Sequence, residues 1–206
     1  MHASDSLPWG DGGLLTSIEP TLLARENLSF LTKTLNTLRA GASLGPWLLR
    51  HREAVSRPVT EKFITEVRAL PGVEKVGVVG FCWGGRYAIL AAQEPFSGKE
   101  GGGKGVDAAY VAHPSLCAIP GDFEGVCVPL SVALGEKDSY LGMGEVRKIE
   151  EGMGRKRREG YEGEVVVYEG QVHGFALRGD QERAEDKKAL DAAAQQGIDW
   201  FKRHLS

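Results

Sequence analysis

Cysteine is scarce in this 206-residue chain, which contains three, an odd number. So small and odd a set does not make the framework of a disulfide-stabilised secreted protein, and it favours a reducing compartment. The start of the sequence also lacks the basic region and apolar stretch of a signal peptide. These absences predict a cytoplasmic protein.

Long apolar runs and a strong charge of either sign are also missing. No apolar run approaches the ~18 residues of a membrane helix. The 25 Lys and Arg residues nearly balance the 28 Asp and Glu residues, and the net charge of −3 gives no general attraction to nucleic acid or anionic lipid. We therefore predict neither a membrane nor a nucleic-acid partner. A hydrophobic fraction of 42% is typical of a globular chain with a substantial core.

Short apolar runs alternate with helical patterns from about residue 46 onward. Strands are predicted at Lys75–Gly80, Val106–Ala112, Cys127–Leu134 and Glu164–Glu169. This alternation predicts an α/β fold, with a parallel sheet covered by helices on both faces. Residues 1–45 contain turn-forming sequence and a leucine stripe at helical spacing (Leu28, Leu31, Leu35, Leu38). We therefore predict an irregular or helical segment at 1–45 and the core at 46–206.

Apolar spacing also predicts two helices. The first has an apolar residue at every fourth position: Val55, Val59, Phe63 and Val67. The last has one apolar stripe: Leu190, Ala194, Ile198, Phe201 and Leu205. Both patterns recur at helical spacing.

The sharpest local motif is Gly80-Phe81-Cys82-Trp83-Gly84-Gly85, between a predicted strand and a predicted helix. A nucleophile at such a turn needs small neighbours, and Gly80 and Gly84 supply them two positions before and after Cys82. The start of the following helix also points free amides at the thiol, which lowers its pKa. The glycine spacing matches neither a dinucleotide fingerprint nor a P-loop. Cys82 is therefore the candidate nucleophile.

A cysteine nucleophile needs a base, and the base needs an orienting acid. Asp138 and His173 each follow a predicted strand, so both lie at the sheet edge where ligands bind in parallel α/β folds. The chain order nucleophile, acid, base is that of the α/β-hydrolases. Glu136 is an alternative acid. His113, which follows the second strand, is an alternative base or a substrate-lining residue.

Together, the Cys82 motif, the Asp138 segment and His173-Gly174-Phe175-Ala176 resemble the dienelactone hydrolase family, particularly its fungal branch. The resemblance covers Pro58 to Leu205. It implies an α/β-hydrolase fold that cleaves small lactones or esters through a Cys-Asp-His triad, without a cofactor or metal. By position, Trp83 would offer its backbone N–H to the oxyanion. The segment beginning at His113 is also similar to one in fungal members.

The sequence departs from the family pattern in two places. Arg178, five residues after His173, lies further along than the arginine that binds the substrate carboxylate in bacterial members. The strands that precede the nucleophile strand in the family are missing, and with them a second oxyanion amide. Two expectations follow: a catalytically silent family member is the alternative to an active hydrolase, and the uncovered edge of strand Lys75–Gly80 promotes self-association.

Overall fold

The structure, a computed structural model, describes residues 45–93 and 105–206. The chain divides into two compact units, residues 1–56 and 57–206. Of the first unit, the described part is helical at residues 45–50 and then begins helix α1, Glu53–Arg68. The predicted leucine stripe lies outside the described residues, and the domain boundary at 45/46 stays a prediction.

The second unit is built on a four-stranded parallel sheet in the order β1-β2-β3-β4. The four predicted strands are all present, within a few residues of their predicted bounds. They are β1 Gly77–Phe81, β2 Ala108–Ala112, β3 Leu130–Gly135 and β4 Gly163–Tyr168. Every residue of β2 and β3 is buried, as the continuous apolar sequence of a central parallel strand requires.

Helices connect the strands and close the fold. After β1 comes α2, Cys82–Ala91, and after β2 a single turn, α3, Gly121–Glu124. After β3 comes α4, Met143–Arg158, and after β4 the short α5, Phe175–Arg178, and the closing helix α6, Ala184–Leu205. No helix in the described part of the chain is long and apolar enough to cross a membrane.

Side chains alternate between the two faces of the sheet, and each face has its own core. Ala109 and Val111 of β2 pack with one cluster, which includes Ile89 of α2 and Ile149 of α4. The intervening residue Tyr110 packs on the opposite face with Ala193 and Trp200 of α6. The predicted α/β sheet with helices on both faces is thus confirmed.

The predicted first and last helices are both present, as α1 and α6. In α1, Val59 and Phe63 are 66% and 65% exposed, and Ile64 is the buried residue. In α6, Phe201 and Leu205 pack on the core, Ile198 is half exposed, and the buried residues are Ala189, Ala193, Gly197 and Trp200. The apolar pattern therefore locates these helices but only part of their buried faces.

Strand β1 is hydrogen-bonded to β2 along one side. On its other side, no strand of the described residues pairs with it. Val79, in the middle of β1, is 52% exposed. Within the described residues, β1 therefore has the open edge that the sequence predicted.

Candidate active site

The turn between β1 and α2 holds Cys82 in a strained backbone conformation. Its φ angle is 51°, in the left-handed region that residues other than glycine seldom adopt. The strand and helix approach each other closely here, since a Cβ atom on Gly80 would lie 2.7 Å from Ala88 Cβ. A sharp strand-to-helix turn of this kind presents the side chain at its tip beyond the sheet.

The sequence assigned the second spacing role in this turn to Gly84, and that assignment is wrong. Apart from the adjacent residues and the backbone of its own helix, no described atom lies within 4 Å of a Cβ added to Gly84. The neighbouring Gly85 is the crowded position, because its Cβ would lie 2.8 Å from Cβ of Pro114. Gly85 therefore lets the loop after β2 pass close to the Cys82 turn.

Three predicted side chains meet where β1, β3 and β4 end. His173 Nε2 lies 3.1 Å from Cys82 Sγ, and His173 Nδ1 lies 2.8 Å from Asp138 Oδ2. The Asp138 side chain is fully buried, and that of His173 is nearly so. In this arrangement the imidazole can exchange a proton with the thiol, while the carboxylate fixes its orientation and tautomer.

The same contacts determine the charge states of the thiol and the imidazole. Burial raises the pKa of Cys82, but hydrogen bonds from His173 and Ser115, the charge of His173 and the Trp83 backbone N–H outweigh it and lower the pKa below its usual value. Burial lowers the pKa of His173, but hydrogen bonds and charge interactions with Asp138 and Cys82 raise it to about 9. These opposite shifts favour a thiolate–imidazolium pair over the neutral pair.

The acid beside His173 is Asp138 rather than the alternative, Glu136. Glu136 is exposed, and its carboxylate accepts the backbone N–H of Gly170 at 2.8 Å. Asp138, two residues later, accepts the backbone N–H of Tyr140 at 2.8 Å in addition to the imidazole. The Tyr140 ring lies 4.6 Å from the His173 ring, centre to centre, and shields the hydrogen-bonded pair.

His113, the alternative base, lies beside the site but not in hydrogen-bonding position within it. Its ring is 1% exposed and meets the His173 ring edge-on, with centres 5.0 Å apart. Neither ring nitrogen has a hydrogen-bond partner among the described residues. Burial and the charge of His173 lower the pKa of His113 to about 4, so this ring is neutral at ordinary pH. It forms a wall of the site.

The other two predicted site residues lie at its margins. Trp83 directs its backbone N–H to Cys82 Sγ, and its indole packs on Tyr87 with ring centres 4.7 Å apart. Arg178 is exposed on α5 and runs past Gly174, the residue after His173. Its positive charge contributes to lowering the pKa of His113. Trp83 thus borders the sulfur, and Arg178 the solvent side.

Two neighbours of the site were missed by sequence reasoning. Ser115 Oγ lies 3.5 Å from Cys82 Sγ, and Tyr140 packs on His173. Asp138 and His173 were located because they follow predicted strands. Ser115 has the same kind of position, since it lies three residues beyond the end of β2. Nothing in the sequence distinguishes Tyr140 from other exposed aromatic residues. Within the described residues, no group of three or more His, Cys, Asp or Glu side chains is placed to hold a metal ion.

Curated relatives of this chain include hydrolases. The chain is 30% identical over 148 residues to the hydrolase tropI of Talaromyces stipitatus, covering 72% of this chain and 53% of that protein. It is 25% identical over 138 residues to a carboxymethylenebutenolidase homolog of Xenopus tropicalis, covering 65% of this chain and 50% of that one. The chain thus spans about half the length of these curated relatives.

A solved structure shares the fold. The dienelactone hydrolase-like promiscuous phosphotriesterase P91, from metagenomic libraries, superposes with a TM-score of 0.58 at 20% identity, covering 79% of this chain and 68% of that one. The family model for dienelactone hydrolases matches residues 20–205. This chain belongs to the dienelactone hydrolase family.

Proposed function

We propose that this protein hydrolyses small carboxylic esters or lactones through a covalent intermediate on Cys82. The alignment of Cys82 Sγ, the His173 imidazole and the Asp138 carboxylate, with separations of 3.1 and 2.8 Å, carries the proposal. Cys82 acts as the nucleophile, His173 as the general base and acid, and Asp138 as the orienting acid. The carbonyl of the relatives' substrate class is an electrophile suited to a thiolate.

In the first half of the reaction, the Cys82 thiolate attacks the ester carbonyl carbon. The negative charge moves to the carbonyl oxygen, where the backbone N–H of Trp83 offers one hydrogen bond. The tetrahedral intermediate then collapses with cleavage of the carbon–oxygen bond of the alcohol. The His173 imidazolium gives its proton to the departing oxygen, leaving a thioester on Cys82 and a neutral imidazole.

In the second half, water hydrolyses the thioester. The thiolate that raised the pKa of His173 has been consumed, so the neutral imidazole can take a proton from water. Hydroxide adds to the thioester carbonyl, and the carbon–sulfur bond breaks. The acid product leaves, and the thiolate–imidazolium pair is restored. Ester and water have become alcohol and acid.

The walls of the site indicate where the remainder of the substrate lies. The neutral, buried His113 forms one side and accommodates uncharged parts of a substrate. Arg178 is exposed and positively charged, and we assign it a contact with a substrate carboxylate at the mouth of the site. A small ester or lactone that carries one acidic group fits a site with one neutral wall and one positive charge at its mouth.

A catalytically silent family member is the second candidate. The observation that favours it is the open side of β1, where no strand of the described residues pairs. Trp83 supplies one oxyanion donor, and loss of a second donor typically lowers turnover by ~10²–10³-fold. A silent protein would keep the crevice as a binding site. Measurement of turnover separates the two candidates.

The chain as it stands is expected to hydrolyse p-nitrophenyl acetate weakly and a dienelactone more weakly still, because it provides one identified oxyanion donor. With an alkyl ester such as ethyl acetate, the rate should fall on the alkaline side near pH 9, where His173 loses the proton that the alkoxide leaving group needs. Release of p-nitrophenol measures the first expectation, and titration of the acid released from the alkyl ester across the pH range measures the second. No release of p-nitrophenol above the buffer rate would favour the silent protein, and a rate with the alkyl ester that keeps rising with pH would exclude the imidazolium as the acid.

The open edge of β1 supports a further part of the proposal, self-association. Its sequence, Gly77 to Phe81, contains neither a charge nor a proline, which commonly protect sheet edges. We therefore expect light scattering to show an apparent mass that increases with protein concentration. A monodisperse monomer at every concentration would contradict this expectation. The cytoplasmic location stays a prediction from the sequence.

A further inference from the structure

The loop that follows β2 places a serine hydroxyl against the sulfur of Cys82. We propose that Ser115 is a positioning residue whose hydroxyl donates a hydrogen bond to the Cys82 thiolate in addition to the one from His173. This inference rests on the proposed function, because it concerns the resting charge of the same sulfur. It gives Ser115 a part in the chemistry that neither the sequence motif nor the resemblance assigns.

The distances and burial support a specific contact. Ser115 Oγ lies 3.5 Å from Cys82 Sγ, a normal separation for a hydrogen bond to sulfur, and the residue is 4% exposed. His173 Nε2 lies 3.1 Å from the same sulfur. When the sulfur is a thiolate it can only accept, so the hydroxyl must be the donor. A part-buried anion that accepts these hydrogen bonds is favoured over the neutral thiol.

The backbone fixes Ser115 at this position independently of its hydroxyl. Its N–H donates to the carbonyl oxygen of Cys82 at 2.9 Å, joining the loop to the strained turn itself. On either side, His113 and Leu116 have φ angles of 39° and 58°. Non-glycine residues persist in this left-handed region only where the surroundings hold them. The serine is therefore held in place rather than free to swing away.

A partly buried ion pair anchors the far end of the same loop to the helix that Cys82 begins. Arg86 of α2 donates from Nε to Asp122 Oδ2 at 2.8 Å, and the same oxygen accepts the backbone N–H of Ala118 at 2.8 Å. The segment with Ser115 is thus tied to α2 at two points. The distance between its hydroxyl and the sulfur follows from the fold and not from chance packing.

Ser115 would act twice in the catalytic cycle. It stabilises the thiolate before attack, and it offers its hydrogen bond again when the sulfur leaves the second tetrahedral intermediate. During the thioester stage the sulfur carries no charge, and the bond is weak. The contribution therefore favours the two states in which Cys82 is an anion. Burial raises the pKa of Cys82, and the hydrogen bond from Ser115 lowers it, which agrees with this role.

The test is the pH dependence of Cys82 alkylation by iodoacetamide, followed for each cysteine peptide by mass spectrometry. In the unmodified protein Cys82 should react at lower pH than Cys117, whose pKa burial raises to about 12. In Ser115→Ala the half-maximal pH for Cys82 should rise by about half a unit to one unit, a loss of roughly three- to tenfold in thiolate at acidic pH. Ser115→Thr keeps the hydroxyl, so its half-maximal pH for Cys82 should lie close to that of the unmodified protein.

Ser131→Ala is the matched control. Ser131 is also a fully buried serine, but its hydroxyl bonds to Glu164 and Gln196, away from the sulfur. Its removal should leave the Cys82 profile unchanged. If Ser115→Ala does not fold, Ser115→Gly removes the same hydroxyl and gives the same readout.

The outcomes separate this inference from the proposed function. A Ser115→Ala profile that coincides with that of the unmodified protein would overturn the inference and leave the Cys82 mechanism intact. If Cys82 of the unmodified protein reacts with the profile of an ordinary exposed thiol, both the inference and the nucleophile assignment fail. If Ser131→Ala raised the half-maximal pH for Cys82 as much as Ser115→Ala does, general destabilisation would explain both variants. That result would contradict the inference.

Discussion

Replacement of Cys82 by alanine is expected to abolish hydrolysis of p-nitrophenyl acetate while leaving the fold intact. The thiolate forms the bond to the substrate carbon in the proposed mechanism, and no neighbouring group replaces it. The Ser115 hydroxyl contacts Sγ and makes no described hydrogen bond to the His173 imidazole, so it lacks a base. The measurement is the initial rate of p-nitrophenol release, compared with buffer, together with thermal unfolding of both proteins.

Cys127→Ala is the control for the loss of a thiol. Cys127 is exposed and donates to the carbonyl oxygen of Ala92 at 3.3 Å, on a different part of the surface. This variant should keep the rate of the unmodified protein. Undiminished hydrolysis by Cys82→Ala would remove Cys82 from the mechanism, however well the distances suit it.

Replacement of Asp138 by asparagine is expected to lower kcat by roughly 10⁴-fold, as for the orienting carboxylate of a serine triad. The amide has nearly the shape of the carboxylate but no charge, so it no longer raises the pKa of His173. Its NH₂ group would also favour the wrong imidazole tautomer at Nδ1. Steady-state kinetics with p-nitrophenyl acetate, repeated across the pH range, measure both effects.

Glu136→Gln is the matched control, because it makes the same chemical change two residues away. Glu136 is exposed and accepts the N–H of Gly170 rather than the imidazole. The variant should retain the rate of the unmodified protein within a small factor. If Glu136→Gln lost activity and Asp138→Asn did not, the assignment of the acid would have to be reversed.

The layout of the site was predictable from sequence because strand ends are easy to locate. Apolar runs predicted the four strands, and in a parallel sheet their carboxyl ends meet at the same edge. Cys82, Asp138 and His173 each follow such a run, so their proximity needed no knowledge of side-chain geometry. The choice between Asp138 and Glu136 as the acid did need side-chain geometry, because both residues follow β3 within three positions.

The buried faces of the helices were less predictable, because they depend on what lies opposite. In α6, the face with Ala193 and Gly197 meets Tyr110 of β2, whose hydroxyl donates to the Ala193 carbonyl oxygen at 2.6 Å. A Cβ atom on Gly197 would lie 2.9 Å from the Tyr110 ring. A large ring from the sheet therefore selects small residues at this part of the helix, which hydrophobic spacing does not single out.

Ser115 shows a second limit of sequence reasoning. Its place after β2 was visible, but its side chain reaches Cys82 through left-handed backbone conformations at His113 and Leu116. These conformations follow from contacts between distant segments, such as the ion pair of Arg86 with Asp122. No local pattern in the sequence encodes them, because both partners are ordinary surface residue types.

The most direct test of the mechanism is whether a substrate acyl group becomes bonded to Cys82. The protein is mixed with p-nitrophenyl acetate, quenched in acid after successive short intervals, and digested for mass spectrometry. We expect one acetyl group on the Cys82 peptide, appearing with the first release of p-nitrophenol and decaying when substrate is exhausted. Continued turnover with Cys82 unmodified throughout, or with the acetyl group on another residue, would contradict the mechanism.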